Sequence, residues 1–243
     1  MITVITVCFN DFEGLSRTVD SVIAQRKLCE LQHIIVDGAS TDGTRQYLEC
    51  ASEEGRIDGY VSESDRGIYD AMNKGFSNAQ GEWLHFLNAG DIYASDDALS
   101  VALSRLRKGV LNYFDLYQWS LKSDGYETKA FIYDRERLNV GCYLMQPATI
   151  LHRDQVAEVG AFSLEYSIAG DYDYLLRLLK KFPALRHDYV LTKMEPGGVS
   201  DVNYVESFRQ FRKVSVRHGF PVWKAYVIYI LKVVNSTVKR LLK

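Results

Sequence analysis

Two periods alternate along the first hundred residues of the chain. ITVITVCF (2–9) is continuous and β-branched, as in a strand buried on both faces. In FEGLSRTVDSVIAQ (12–25), Leu15, Val19, Val22 and Ile23 recur at helical spacing. LQHIIVD (31–37) predicts a second strand, and GASTDGTRQYLECA (38–51) turns into a helix with Ser, Thr and Asp available as caps. GYVSE (59–63) predicts a third strand, GIYDAMNKGFSNA (67–79) a helix and EWLHFLN (82–88) a fourth strand. Strands alternating with helices of this length predict βαβ units and a mainly parallel sheet, whose ligands bind beyond the carboxyl ends of the strands.

The middle of the chain changes character. NYFDLYQWSL and YETKAFIY are strand-like and are joined through KSDG, whose Asp124-Gly125 suits a tight turn. This predicts a small antiparallel insertion. RDQVAEVG (153–160) and DYDYLLRLLKKF (171–182) predict helices, HDYVLTKME (187–195) a last strand, and the chain from about Ser200 onward more helix.

Composition narrows the class. With 243 residues, 47% hydrophobic and 25% charged, the chain suits one sizeable domain, or a domain over 1–200 with a helical region over 201–243. A net charge of -2 argues against a general nucleic-acid binder. Cys8, Cys29, Cys50 and Cys142 are widely spaced, without a zinc pattern, and predict buried thiols in a reducing compartment. The first residues show no basic leader and read as a strand. No charge-free window reaches about 18 residues, so no spanning helix is expected.

Three predicted strands end at carboxylates: Asp37, Asp65 and Asp91. The first strand ends at Cys8-Phe9-Asn10. Read singly, each acid is also a turn residue or helix cap. Converging on one edge, they repel one another unless a cation or donor satisfies them. A divalent ion bound to a diphosphate is one solution.

ITVITVCFN, IIVDGASTDGT, SESDRGIYDAMNKGFSNAQGEWLHFLNAGD and AGDYDYLLRL, in this order, resemble family 2 glycosyltransferases of the GT-A fold. The closest likeness is to enzymes of bacterial exopolysaccharide and colanic-acid assembly. The resemblance spans about residues 2–200. It implies an inverting, metal-dependent transfer from a UDP- or GDP-sugar, with Mg²⁺ or Mn²⁺ as cofactor. It assigns the nucleoside to Thr6, Asn10 and Asp37. It assigns the rest of the donor to Asp65, Arg66, Tyr69, Asn73, Lys74, Asn88 and Gly90, and the metal to Asp91. Only the last acid of the family's D-x-D-like motif is present in NAGD. Asp171 matches the catalytic base, with Gly170 where an acidic neighbour usually stands; Asp173 is the second choice. Gln146 and His152 match the acceptor side, and PGGVSD (196–201) resembles a loop that closes over substrate. Read alone, Tyr69 is also a core residue, Lys74 a solvated one and Asp171 a helix N-cap.

From Arg209 to Lys243 the chain carries nine Lys and Arg and no acid. FPVWKAYVIYILKVVNSTVKRLLK is apolar, aromatic and basic. It reads either as a helix packed on the domain or as one lying on an anionic membrane surface, with Trp223, Tyr226 and Tyr229 near the headgroups. The second reading suits a lipid-linked saccharide acceptor and a peripheral position on the inner face of the cell membrane. Two rivals differ in class. A nucleotidyltransferase would show a Gly-rich basic loop after the first strand, and CFNDFEG is not one. A transferase-like scaffold without activity would be indifferent to loss of Asp91 or Asp171.

Overall fold

The computed structural model describes residues 1–120, 125–130, 144–195 and 203–241. Strands β1 (Ile2–Cys8), β2 (Leu31–Asp37), β3 (Gly59–Ser62) and β4 (Trp83–Phe86) alternate with helices α1 (Phe12–Gln25), α2 (Thr44–Glu53) and α3 (Ile68–Asn78). β1 pairs in parallel with β2 and β4, and β2 with β3. The parallel half predicted from periodicity is therefore present.

The second half is woven in more tightly than the pattern predicts. β5 (Ile92–Tyr93) and α4 (Ala98–Arg105) lead to β6 (Leu111–Ser120) and β7 (Gly125–Lys129). β6 and β7 form the expected antiparallel hairpin. β6 is also a main-sheet strand, antiparallel to β8 (Thr149–His152) and parallel to β9 (Ala184–Met194). β8 in turn lies antiparallel to β4, and the sheet order is β3-β2-β1-β4-β8-β6-β9-β5. The short β8 follows a 3-10 turn at Gln146–Ala148 and precedes α5 (Arg153–Val159).

Side chains of β1 sort the layers. Ile5 and Val7 pack with residues of α3, of α6 (Gly170–Lys181) and with Val214. Ile2, Val4 and Cys8 face α1, α2 and α4. Burial on both faces is why β1 and β2 lack alternation. Thr6 is buried in this layer, and its hydroxyl bonds His33 Nε2 at 2.9 Å.

Two further helices, α7 (Tyr204–Arg217) and α8 (Val222–Leu241), close the chain. α7 belongs to the core. Its Gln210 Oε1 accepts the Ile168 and Ala169 amides, and Ser215 bonds the Tyr172 hydroxyl at 3.0 Å. α8 packs on α7 through Ala225 and through Tyr226 and Tyr229 against Arg212. Its opposite side leaves Trp223, Val227, Ile230, Leu231, Val234 and Val238 exposed. No helix among the described residues is long and apolar enough to cross a membrane.

Candidate active site

Parallel pairing brings the ends of β1, β2, β3 and β4 to one edge. β9 runs in the same sense and delivers Glu195 there. β8 runs the other way, so the Gln146–Ala148 turn lies at this edge and His152 at the opposite one, beside Trp83. This corrects the expectation for His152. Its Nδ1 accepts the Asp154 amide to cap α5, and its Nε2 stands 3.3 Å from Glu82.

The β2 end holds Asp37, fully buried. Its carboxylate accepts the Ser40 amide at 3.2 Å, the Ser40 hydroxyl, and the Ser62 hydroxyl at 2.7 Å. Ala39 stands at φ +64°, a conformation costly for a side chain, and this turn brings Ser40 back onto Asp37. Asn10 links this loop to the first: its amide donates to Ser40 Oγ at 2.7 Å, and its Oδ1 accepts the Thr41 amide at 2.8 Å. Asp65 Oδ2 lies 2.7 Å from where a Cβ on Gly38 would stand, so glycine at 38 lets the Asp65 carboxylate lie against this turn. Thr6 is not part of this surface, since its hydroxyl is held by His33.

The β4 end forms a tight turn over α1. Thr18 Oγ1 accepts the Gly90 amide at 3.0 Å and stands 2.8 Å from the Asp91 carbonyl. Gly90 has φ +92°, which a side chain rarely adopts. Asp91 is 6% exposed; its Oδ1 accepts the Glu195 amide at 3.0 Å, and among the described residues its Oδ2 has no bonded partner. Burial pushes its pKa up to about 7, and the neighbouring Glu195 charge adds to the rise. Asn88 Oδ1 is buried and without a partner among the described residues. An orphan carbonyl oxygen and a carboxylate with one free oxygen are the donors a hard divalent cation accepts. Among the described residues no group of three His, Cys, Asp or Glu side chains could hold an ion. A cation here would complete its shell with diphosphate oxygens and water.

The third part is Asp171, in the first turn of α6. Its Oδ1 accepts the Tyr172 amide at 2.8 Å and faces the Tyr69 hydroxyl at 3.1 Å. Burial raises its pKa. Asp171 lines a cavity of about 30 Å³ with Gln146, Thr149 and Phe162. Gln146, expected on the acceptor side, also reaches the Met72 sulfur of α3 at 3.4 Å.

Other expected residues are engaged in structure. Asp173 faces away: burial would raise its pKa, but the bond to His218 at 2.9 Å and the Arg177 charge leave it low. Arg66 is exposed and pairs with Asp70. The Asn73 side chain bonds both backbone groups of Phe162. Lys74 ties the Ser64 carbonyl and Glu63. The loop at 196–201 lies outside the described residues. Ser40, Ser62, Thr18 and Glu195 escape the sequence reading. Only Ser40 has a local signal, three residues after Asp37 in an Asp-Gly-Ala-Ser turn.

The glycosyl transferase family 2 model matches residues 3–153, and the chain belongs to this family. An uncharacterized glycosyltransferase of Mycobacterium tuberculosis is 34% identical over 187 residues, covering 72% of this chain and 68% of its own. A PGL/p-HBAD biosynthesis glycosyltransferase of Mycobacterium bovis is 29% identical over 227 residues, covering 90% and 86%. Among solved structures, the mannosyltransferase PcManGT of Pyrobaculum calidifontis, in complex with GDP-Man and Mn²⁺, matches with a TM-score of 0.68 at 16% identity, covering 98% of this chain and 75% of that one. TarS of S. aureus in complex with UDP-GlcNAc matches with a TM-score of 0.66 at 12% identity, covering 96% and 71%. This chain spans 42% of a longer TarS chain. The fold is GT-A, as expected. These relatives support a glycosyltransferase of cell-surface glycans and do not single out colanic acid.

The raised Asp91 pKa has a sign that can be checked. Folding penalises the ionised form, so the penalty is absent below the ordinary carboxylate range, grows as pH rises and is complete above about 7. Asp91→Asn should stabilise the metal-free protein more at pH 8 than at pH 5, by on the order of 2 kcal/mol. Thermal unfolding in a chelator at the two pH values measures it. An equal effect at both would contradict the assignment.

Proposed function

We propose that this chain transfers a sugar, with inversion, from a UDP- or GDP-sugar to a saccharide or lipid-linked saccharide in bacterial cell-surface glycan assembly. The observation that carries the reading is the placement of Asp37, Asp91 and Asp171 at one edge, each bonded by neutral donors. Asp37, with Asn10 and Asp65, takes the nucleoside. Its serine partners can rotate to leave the carboxylate free for a base N–H. The Asn88–Asp91 turn takes the diphosphate, with Gly90 allowing close approach. Asp91 and Asn88 would hold Mg²⁺ or Mn²⁺, which supplies positive charge to the departing diphosphate.

Asp171 accepts the proton of an acceptor hydroxyl as that oxygen bonds the anomeric carbon. The bond from that carbon to the diphosphate breaks, and the nucleoside diphosphate leaves with the electron pair. A single displacement from the opposite side inverts the centre. The bonds from the Tyr172 amide and the Tyr69 hydroxyl both fall on Oδ1, and Oδ2 takes the proton. Its raised pKa suits a group that must take a proton near neutrality.

The exposed apolar stripe of α8 lies in a stretch without acids, and this supports docking on an anionic leaflet at the inner face of the cell membrane. In a vesicle co-sedimentation assay the protein should bind phosphatidylglycerol vesicles over phosphatidylcholine ones. Trp223→Ser combined with Leu231→Ser should weaken that binding at least about tenfold. Equal binding to both lipids, or none, would overturn the docking.

For the reaction, calorimetric titration with UDP, GDP, UDP-GlcNAc and GDP-mannose, with and without Mn²⁺, should reveal metal-dependent binding of one nucleotide class. Asp91→Ala should weaken it about tenfold or more. Asp171→Asn should leave it within about twofold and lower turnover about 10²–10⁴-fold. Absence of nucleotide binding under every metal condition would favour the scaffold reading.

A further inference from the structure

Gly170 stands where the family resemblance leads one to expect an acidic neighbour of Asp171. The fold supplies a reason. A Cβ on residue 170 would lie 2.7 Å from Cδ2 and Cε2 of Tyr69 and 2.9 Å from its Cγ. The Tyr69 ring fills that space, stacked on Phe162 at 5.7 Å between centroids. From there its hydroxyl stands 2.5 Å from the Ile168 carbonyl and 3.1 Å from Asp171 Oδ1.

A phenol hydroxyl carries one proton and can both donate and accept. With Asp171 ionised, Tyr69 can donate to Oδ1. With Asp171 protonated, Tyr69 can accept from the acid and turn its own proton to the Ile168 carbonyl. The positions found here fit the second state, with the Tyr69 proton on the Ile168 carbonyl at 2.5 Å; in the first state that contact loses its hydrogen and must lengthen as Tyr69 turns to Asp171.

We propose that Tyr69 is a positioning residue for Asp171, a hydroxyl that holds the carboxyl group in place both before and after it receives the acceptor's proton. This rests on the reading of Asp171 as general base. It moves Tyr69 from the donor contacts, where the family resemblance placed it, to the support of the base. It also links two ends of the site, because Tyr69 lies in the first turn of α3, directly after the loop that carries Asp65.

The surroundings leave few competing influences on Asp171. Gln146 and Thr149 line the same cavity, and Tyr174 lies on its own helix; none is charged near neutral pH. The nearest ionised groups of α6, Asp173 and Arg177, pair with each other. The bond to an ionised carboxylate is the stronger of the two states, so Tyr69 favours ionisation and partly offsets burial.

Carboxyl carbon-13 NMR of the metal-free full chain tests the proposal, with the Asp171 signal assigned by its loss in Asp171→Asn. In Tyr69→Phe the Asp171 midpoint should rise by about half to one pH unit, with the unfolding temperature little changed. Gly170→Ala, which crowds the ring, should shift it the same way. A midpoint that stays put or falls in both variants overturns the proposal. Turnover separates this from the base assignment. If Asp171→Asn retains full turnover while the titration still responds to Tyr69→Phe, the base reading fails and the contact stands. If Asp171→Asn abolishes turnover and the titration does not respond, the base reading stands and Tyr69 has another role.

Discussion

The way each carboxylate is neutralised organises this molecule. Asp115 is held by Arg186, Asp173 by Arg177 and His218, and Asp58 by Arg26. Each of these acids has an arginine as a fixed partner and serves the fold. At the carboxyl edge of the parallel strands the pattern changes. Asp37 is bonded by serines and an amide, Asp91 by an amide, and Asp171 by an amide and a phenol. Neutral donors satisfy some lone pairs without cancelling the charge, so these carboxylates keep the capacity to bind a cation or take up a proton.

The sheet makes this arrangement available at some cost. Strand pairing fixes where β2 and β4 end, so Asp37 and Asp91 are buried against the layers that close the core. Burial, with no cationic partner among the described residues, holds Asp91 at about 7. Thr18 and Gly90 keep the turn closed around it. Stability given up at such a position is regained when a ligand supplies the missing charge.

Much of this was legible in the chain. The βαβ half, the parallel sheet and the convergence of Asp37, Asp65 and Asp91 follow from periodicity and turn chemistry. What was not legible depends on long-range pairing. His152 looked like an acceptor contact beside Gln146, but the intervening β8 is four residues long and carries them to opposite edges. β6 reads locally as half of a hairpin, and only its pairing with β8 and β9 makes it a main-sheet strand. Ser62 and Thr18 look like ordinary strand and helix residues until the fold brings them to Asp37 and to the Gly90 turn. Asp173 is two residues from Asp171 and similar in sequence terms. The helical turn sends it to Arg177 and His218 instead.

In the proposed function the donor occupies the carboxyl edge of the parallel strands. Hydrogen exchange read by mass spectrometry, with and without UDP or GDP and Mn²⁺, tests it most directly. The nucleotide that binds should slow exchange in the segments around Ser40–Thr41 and Asn88–Asp91 and leave those around Glu82 and His152 unchanged. Protection confined to the Glu82–His152 edge would contradict it.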